Sequence, residues 1–247
     1  MKRILMCVAI LSCVAVVALR AGARQTVDPT VDEILTRYVN ALGGRAAIAK
    51  HTTRISKGTV EVVAGGQTEN GTAESYSKAP DKYLSIVQIP DYGEVRNCFD
   101  GQIGWISRPG TGIEPYTGQD LSSARRTADF YQSIDLKKLY PKMVLKGRDD
   151  VGQWPAYVVE ADPGDGSLRR LYFDVSSGLL IRNDEEHDTP DGRDVVQSYL
   201  EDYRDVGGVK QPFTVRQAHG ATHIIIKLTE VQMDQPIDDA KFAKPAQ

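Results

Sequence analysis

The sequence predicts an α+β domain in which a single curved antiparallel β-sheet, a half-barrel, is capped by helices that enclose an apolar cavity. Two observations predict it. Short β-type segments separated by turn residues fill most of the chain after residue 55, and helical periodicity is confined to residues 30–51 and 119–143. A long antiparallel sheet curls, and its apolar concave face has to be covered. The two helical stretches are the cover that the chain offers.

The first 23 residues have the three parts of a secretory signal peptide. Lys2 and Arg3 precede an apolar run over residues 4–19, and residues 21–23 form a small-x-small cleavage motif. A transmembrane anchor is one alternative, but the run is shorter than the roughly 20 residues that span a bilayer. Lipoprotein processing at Cys13 is another, on a weaker motif. We therefore expect residues 1–23 to be removed and a periplasmic protein to result, in preference to an outer-membrane lipoprotein.

The expected mature chain, residues 24–247, is one acidic domain with a single cysteine. Cleavage after Ala23 changes the net charge from −3 to −6 and leaves Cys98 alone. An acidic domain without a basic run is not expected to bind nucleic acid. One cysteine excludes an internal disulfide, so burial of apolar surface has to stabilise the fold. We expect a monomer without a transmembrane segment in the mature chain.

The mature chain opens with a helix. Thr30 and Glu33 form a capping-box pair, apolar residues from Val31 to Leu42 repeat at helical spacing, and Gly43-Gly44 ends the helix. This apolar stripe predicts that the helix packs on the sheet.

About four strands are predicted before residue 119 and about seven after residue 143. Asn70-Gly71 and Asp100-Gly101 lie between apolar runs and predict hairpin turns. The Asn70 motif also matches a glycosylation acceptor, but a turn is the favoured interpretation. Between the two sets of strands, residues 121, 124, 128 and 131 recur at helical spacing, and Pro141 ends the insert.

Several phrases in this pattern resemble the LolA-like lipoprotein carriers. Residues 76–80 read Tyr-Ser-Lys-Ala-Pro, residues 99–105 read Phe-Asp-Gly-Gln-Ile-Gly-Trp, and residues 239–242 read Asp-Ala-Lys-Phe. Residues 202–213 resemble a phrase of the uncharacterised exported relatives of that family. The resemblance covers nearly all of the mature domain, and the order and spacing of the motifs support the fold more than any one motif does.

This resemblance implies a periplasmic carrier or chaperone that shelters acyl chains of lipoproteins, or another apolar ligand, in a lidded cavity, without catalysis or cofactor. In LolA an arginine directly precedes the strand proline and latches the lid; here that position is Ala79. Lys78 and Arg96 are nearby cations. The alternatives are an envelope protein that uses the fold for protein contacts, and a cofactor-free enzyme, because one enzyme of pigment biosynthesis shares the fold.

Six residues are candidates for the cavity wall. Four are expected on the concave face of the sheet and two on the helical insert: Tyr76, Tyr83, Val87 and Trp105, then Leu121 and Tyr131. The same residues would suit an ordinary core beneath fixed helices, because a cavity wall and a core have the same composition. The insert itself is either a movable lid or a fixed covering helix.

No metal site and no catalytic centre is expected. The acidic residues 184–188, 191 and 194 fit neither a calcium loop nor a zinc motif, and a solvated acidic hairpin accounts for them. The four histidines are scattered and no nucleophile motif occurs. Cys98 is expected to be a small buried residue.

Overall fold

A computed structural model describes residues 28–189 and 192–245 of the chain. The predicted signal peptide lies outside these residues and stays a prediction. In the described part, one 13-stranded antiparallel sheet that does not close on itself is combined with four helices. The predicted α+β half-barrel is therefore confirmed.

The helices are α1 (Val31–Ala41), α2 (Arg45–Ala49), α3 (Gly118–Ala128) and α4 (Leu136–Leu139), with a C-terminal 3-10 helix at Asp239–Phe242. The first six strands are β1 (Thr53–Ala64), β2 (Gln67–Lys78), β3 (Lys82–Ile89), β4 (Gly93–Phe99), β5 (Gly104–Arg108) and β6 (Gly112–Pro115). The other seven are β7 (Lys142–Val151), β8 (Trp154–Asp162), β9 (Leu168–Asp174), β10 (Leu180–Thr189), β11 (Gly192–Val206), β12 (Val209–His219) and β13 (Thr222–Met233).

The strand order places β1 in the middle of the sheet and the helical insert between its edges. The order is β6-β5-β4-β3-β2-β1-β13-β12-β11-β10-β9-β8-β7, so the chain runs from the centre to one edge, then from the other edge back to the centre. The connection from β6 to β7 joins the two edge strands and contains α3 and α4. It therefore has to cross one face of the sheet, as the predicted lid requires.

The two faces of the sheet have different covers. We call the face under α1–α4 the inner face. There, Tyr38 of α1 packs edge-on against Phe173 of β9, with 5.2 Å between the ring centroids. This contact lies inside an apolar core that extends over β7–β9. On the outer face, Ile237 and Phe242 of the C-terminal segment pack against β2–β5. The inner face is the one on which the fold can enclose a ligand.

The start of α1 is as predicted. The Thr30 hydroxyl accepts a hydrogen bond from the backbone N–H of Glu33 at 3.2 Å, and the Glu33 carboxylate accepts one from the backbone N–H of Thr30 at 2.7 Å. These two bonds satisfy amides that the first helical turn leaves without partners. None of the described helices is long and apolar enough to span a bilayer.

Six strands, not about four, precede α3, and two further sequence predictions are wrong. Asn70-Gly71 is not a turn but lies inside β2, and the hairpin turns at Gly65-Gly66. A Cβ atom at Gly71 would clash with the carbonyl oxygen of Gln88 in β3. The glycine is therefore needed here because the backbones of β2 and β3 approach each other too closely for a side chain.

The second of these wrong predictions concerns the hairpin of β10 and β11, which was expected to be acidic and solvated. Asp184 and Glu186 are buried, and they pair with Arg182 at 2.6 Å and with Arg170 at 2.7 Å. Arginines on β9 and β10 supply the countercharges. The pairing was not predicted, because the residue pattern along one strand does not show which side chains of the neighbouring strand lie beside it.

Candidate functional site

A cavity of about 200 Å³ lies between α3 and strands β3–β5 on the inner face. The residues that line it are Tyr83, Asn97, Cys98, Phe99, Tyr116, Asp120, Ser123, Ala124 and Thr127. Tyr83 and Phe99 are register partners in β3 and β4, so their rings share one face of the sheet. The volume is below the roughly 300–1,000 Å³ of typical small-molecule sites. With α3 in this position, the cavity is too small to enclose a whole acyl chain.

The floor of the inner face changes from polar to apolar along β1. Alternate residues of a strand share a face, and in β1 these are Arg54, Ser56, Gly58, Val60 and Val62. The β1–β2 register has no shift, and it aligns the inner-facing Ser77 with Arg54. Ser77 in turn pairs with Tyr83, which places Arg54 in the same cross-strand row as the cavity wall.

The apolar end of this floor continues across β13, β12 and β11. Val60 pairs with Ile226, Ile226 with Val215, and Val215 with Leu200. Val60 is buried, whereas Ile226, Val215 and Leu200 are only half-buried. A row of aliphatic side chains on the inner face is thus left partly open to solvent, as the wall of an apolar binding trough would be.

Charged contacts attach α3 to the other half of the sheet. Arg126 of α3 donates hydrogen bonds to Asp165 at 2.6 Å and to Ser167 at 3.2 Å, in the β8–β9 connection. Ser123 of α3 donates to Glu185 at 2.7 Å, and Arg169 of β9 donates to the same carboxylate at 2.6 Å. We call Ser123, Arg126, Asp165, Arg169 and Glu185 the α3 clamp.

The environment favours the charged forms of two clamp residues, Asp165 and Arg169. Burial alone would raise the pKa of Asp165, but the hydrogen bonds from Ser167 and Arg126 outweigh burial and lower it. Burial would lower the pKa of Arg169, but the nearby Tyr140 hydroxyl and the Glu185 carboxylate outweigh that effect and raise it. The guanidinium groups of Arg126 and Arg169 each lie 5.9 Å from the centroid of the Tyr140 ring. Replacing one partner of such a largely buried ion pair is destabilising, because the other charge is then left without a partner.

Four of the six predicted wall residues lie on the inner side. Tyr83 lines the cavity, and Val87 shares its face of β3 four residues further on. Leu121 of α3 lies over Gly104 of β5, beside the cavity. Tyr131 packs against the core under α1 and donates a hydrogen bond from its hydroxyl to the backbone carbonyl of His51 at 3.0 Å. Whether these four residues bind a ligand stays a prediction.

Tyr76 and Trp105 were expected on the concave face, and the structure places them on the outer face instead. Tyr76 pairs with Leu84, Leu84 with Cys98, and Cys98 with Trp105, a row one residue out of phase with Tyr83. They pack with Phe242 and Ile237 of the C-terminal segment. The side-chain period of a strand is two, so a phase difference of one residue places a residue on the opposite face.

Neither of the two cations considered as substitutes for the latch contacts α3. Lys78 donates hydrogen bonds to the Ile237 carbonyl oxygen at 2.9 Å and to Asp239 at 2.7 Å on the outer face. Arg96 pairs with Glu94 at 2.6 Å. Helical spacing in the insert did not indicate the ion pair of Arg126, because its partner Asp165 lies 39 residues away in a turn. Phe99 was also missed, although the β3–β4 hairpin register with Tyr83 would have indicated it.

The titratable groups were predicted to form neither a metal site nor a catalytic centre, and the described residues bear on the first of these. No group of three or more His, Cys, Asp or Glu side chains is placed to hold a metal ion there. Burial, with a smaller effect of Asp100, raises the pKa of Cys98 to about 12, so its thiol stays protonated. The absence of metal, cofactor and catalysis remains an expectation.

Comparison with known proteins identifies the fold. No family model and no curated protein matches the chain. Among solved structures, a DUF1329 family protein from Desulfovibrio piger aligns with a TM-score of 0.61 at 15% identity, over 88% of this chain and 98% of that one. A LolA superfamily protein from Nitrosomonas europaea aligns with a TM-score of 0.57 at 13% identity, over 88% and 99%. A domain from Vibrio parahaemolyticus, described as outer membrane lipoprotein-sorting, aligns with a TM-score of 0.55 at 10% identity, over 84% and 97%.

Proposed function

From the LolA-like fold of this chain, we propose that the protein is an exported, non-enzymatic carrier that shelters an acyl chain or a similar apolar group on the inner face beneath α3. The observation that supports this most is the aliphatic row over β1, β13, β12 and β11, in which Val60 is buried but Ile226, Val215 and Leu200 stay partly open to solvent. The names of two structural neighbours, a LolA superfamily protein and an outer membrane lipoprotein-sorting domain, point in the same direction.

Burial of an acyl chain supplies enough free energy for such binding. Each methylene removed from water contributes about 0.8 kcal/mol, so a chain of some fifteen carbons gains on the order of 10 kcal/mol before the costs of association. The floor is long enough: at about 3.3 Å per residue, Arg54 and Val62 are about 26 Å apart along β1. The cavity under α3 is small by comparison, so full insertion requires α3 to move away from β3–β5.

The α3 clamp suits a lid that opens and closes. The face of α3 toward the sheet is made of small and polar side chains such as Ser123, Ala124 and Thr127, and its specific attachments are charged hydrogen bonds. Elements with few buried apolar contacts are the ones that open at low free-energy cost. In this proposal the lid opens when the clamp breaks and closes over the bound chain when the clamp re-forms.

Co-purified lipid tests the proposal. The mature protein, residues 24–247, is expressed with a signal sequence, recovered from the periplasm, and extracted with organic solvent for mass spectrometry. We expect a lipid or acylated compound in near-stoichiometric amount, absent from a periplasmic protein of another fold prepared in parallel. A chain that is recovered empty and that also fails to take up any acyl probe would contradict the carrier function.

A further inference from the structure

Arg54 is a cation on the floor of the inner face that has no acidic partner. Its Nη1 donates to the Gln211 side-chain oxygen at 2.9 Å and its Nη2 to the Ser77 hydroxyl at 3.4 Å. Both acceptors are neutral, and the second bond is long. Within the described ranges no carboxylate lies at ion-pair distance from Arg54, although most other arginines there have one.

Because Arg54 is partly buried, the absence of an acidic partner makes its charged form less favourable. The side chain is half-buried, and burial lowers the pKa of its guanidinium, an effect that the nearby Tyr83 hydroxyl opposes. Buried charges in proteins are ordinarily paired, because removal from water is otherwise unfavourable. A guanidinium has five N–H donors in a planar fork that matches carboxylate and phosphate, and the two hydrogen bonds described leave three of these donors without a described acceptor.

The side chains next to Arg54 extend this polar end of the floor. Ser56, Ser75, Ser85 and Asn97 form the adjacent cross-strand row on β1–β4, and the Asn97 amide donates to the Ser85 hydroxyl at 3.4 Å. The Tyr116 hydroxyl donates to the Asn97 oxygen at 2.6 Å. The acid that lines the neighbouring cavity, Asp120, is exposed at its rim. Beyond these rows, toward Val60 and Val62, the floor is aliphatic.

We propose that Arg54 binds the anionic head group, a carboxylate or a phosphate, of an amphiphile whose apolar chain lies along the floor from Arg54 toward Val62. This inference rests on the proposed carrier function and specifies the chemical class of its ligand. The guanidinium fork supplies two parallel N–H donors to the head group, and the serine and asparagine row supplies further polar contacts. A neutral acyl chain would leave the charge of Arg54 without a partner in the loaded protein.

Three probes of equal chain length test the head-group preference. Hexadecanoate, hexadecyl phosphate and methyl hexadecanoate are titrated, below their aggregation concentrations, against the mature protein carrying a neutral fluorescent acyl probe, and their displacement constants are compared. Because hydrogen bonds to charged groups are strong, we expect the two anions to bind about tenfold to a hundredfold more tightly than the ester. Tighter binding of hexadecyl phosphate than of hexadecanoate would favour a phospholipid as the source of the head group, and the reverse a fatty acid.

Variants at position 54 test whether Arg54 causes the preference for anionic head groups. Arg54→Gln is expected to bind both anions as weakly as the ester while keeping the ester affinity, and Arg54→Lys to keep part of the preference. Arg96→Gln removes the same charge from the outer face and is the matched control, expected to behave as the wild type. Equal binding of acid and ester by the wild type, or an undiminished preference in Arg54→Gln, would overturn the proposal.

The outcomes separate this inference from the proposed function. If the wild type binds the ester but shows no anion preference, the carrier function stands and the role of Arg54 is wrong. If the wild type binds none of the three probes, both are wrong. Should Arg54→Gln fail to fold, the acid–ester comparison in the wild type and the Arg54→Lys variant still decide the matter.

Discussion

Arg126 of α3 and Asp165 of the β8–β9 connection form an ion pair of 2.6 Å in which only 9% of the arginine side chain is exposed. The pair joins a helix that lies over β3–β5 to a turn on the other half of the sheet. It therefore connects two parts of the half-barrel that the strand order separates.

Replacing Arg126 should loosen α3. Arg126→Gln leaves Asp165 without its charged partner, and breaking a buried ion pair from one side costs about 3 kcal/mol or more. We expect amide hydrogen exchange to accelerate in residues 118–128 while the amides of β8 and β9 keep their protection. Arg125→Gln, at an exposed neighbouring position, is the matched control. Equal exchange in the two variants would show that the pair does not hold the helix.

The clamp should weaken in acid. Because the pKa of Asp165 is lowered in the folded protein, its ionised form is stabilised, and that contribution is present above the ordinary carboxyl pKa of 3.8 and is lost as the pH falls through the lower folded value. Protection of the α3 amides should thus fall below about pH 4. In Asp165→Asn this change with pH should be smaller. An unchanged profile in that variant would assign the acid sensitivity to other carboxyls.

Cys98 should be inert in the folded protein. Its thiol is buried, its pKa is raised to about 12, and its sulfur lies 3.2 Å from the carbonyl oxygen of Phe242 under the C-terminal segment. In the expected mature chain, residues 24–247, Cys98 is the single cysteine, and we expect a thiol reagent such as Ellman's to react with one equivalent only after denaturant is added. Fast reaction of the native protein would mean that the C-terminal segment opens readily.

The chain should be processed after Ala23. A mature protein that starts at Arg24 follows from the signal-peptide motif, which remains a prediction. Intact mass of protein from a periplasmic extract measures it. A mass that still includes residues 1–23 would indicate an uncleaved anchor, and a mass that includes an acyl group on Cys13 would indicate a lipoprotein.

Local chemistry predicted much of the fold. The capping box at Thr30 and Glu33 indicated where α1 begins, and alternation with turn residues predicted the strands. Asn70-Gly71 misled because its local hairpin preference is overridden by tertiary contact: the β3 backbone approaches Gly71 too closely for a Cβ atom. Such an approach is visible only when the strands are paired.

The residues of the inner face were predicted less well, because a shift of one residue along a strand moves a side chain to the opposite face of the sheet. Tyr76 and Trp105 are aromatic residues near the expected cavity, yet one residue of phase separates them from Tyr83. The C-terminal segment provides a second apolar core on the outer face, so hydrophobicity alone did not distinguish the two sides. The clamp was missed for a different reason, since its partners come from three distant segments.

The proposed carrier function requires an apolar chain to lie along the inner face, and two neighbouring residues of β3 allow a direct test. Val87 is a half-buried inner-face residue, while Gln88 is exposed on the outer face. Val87→Glu places a carboxylate on the apolar floor, which disfavours chain burial by several kcal/mol or forces the acid to stay protonated. Gln88→Glu adds the same charge outside. Val87 is preferred to Tyr83 because a carboxylate at position 83 would lie close to Arg54.

The decisive measurement is the affinity of a fluorescent acyl probe for these two variants and the wild type, each checked for folding by circular dichroism. We predict tight binding by the wild type and by Gln88→Glu, and at least tenfold weaker binding by Val87→Glu. If Val87→Glu fails to fold, Val87→Trp, which adds volume on the inner face, takes its place with the same expected loss. Wild-type affinity in a folded Val87 variant, or no binding by the wild type, would contradict the proposed carrier function.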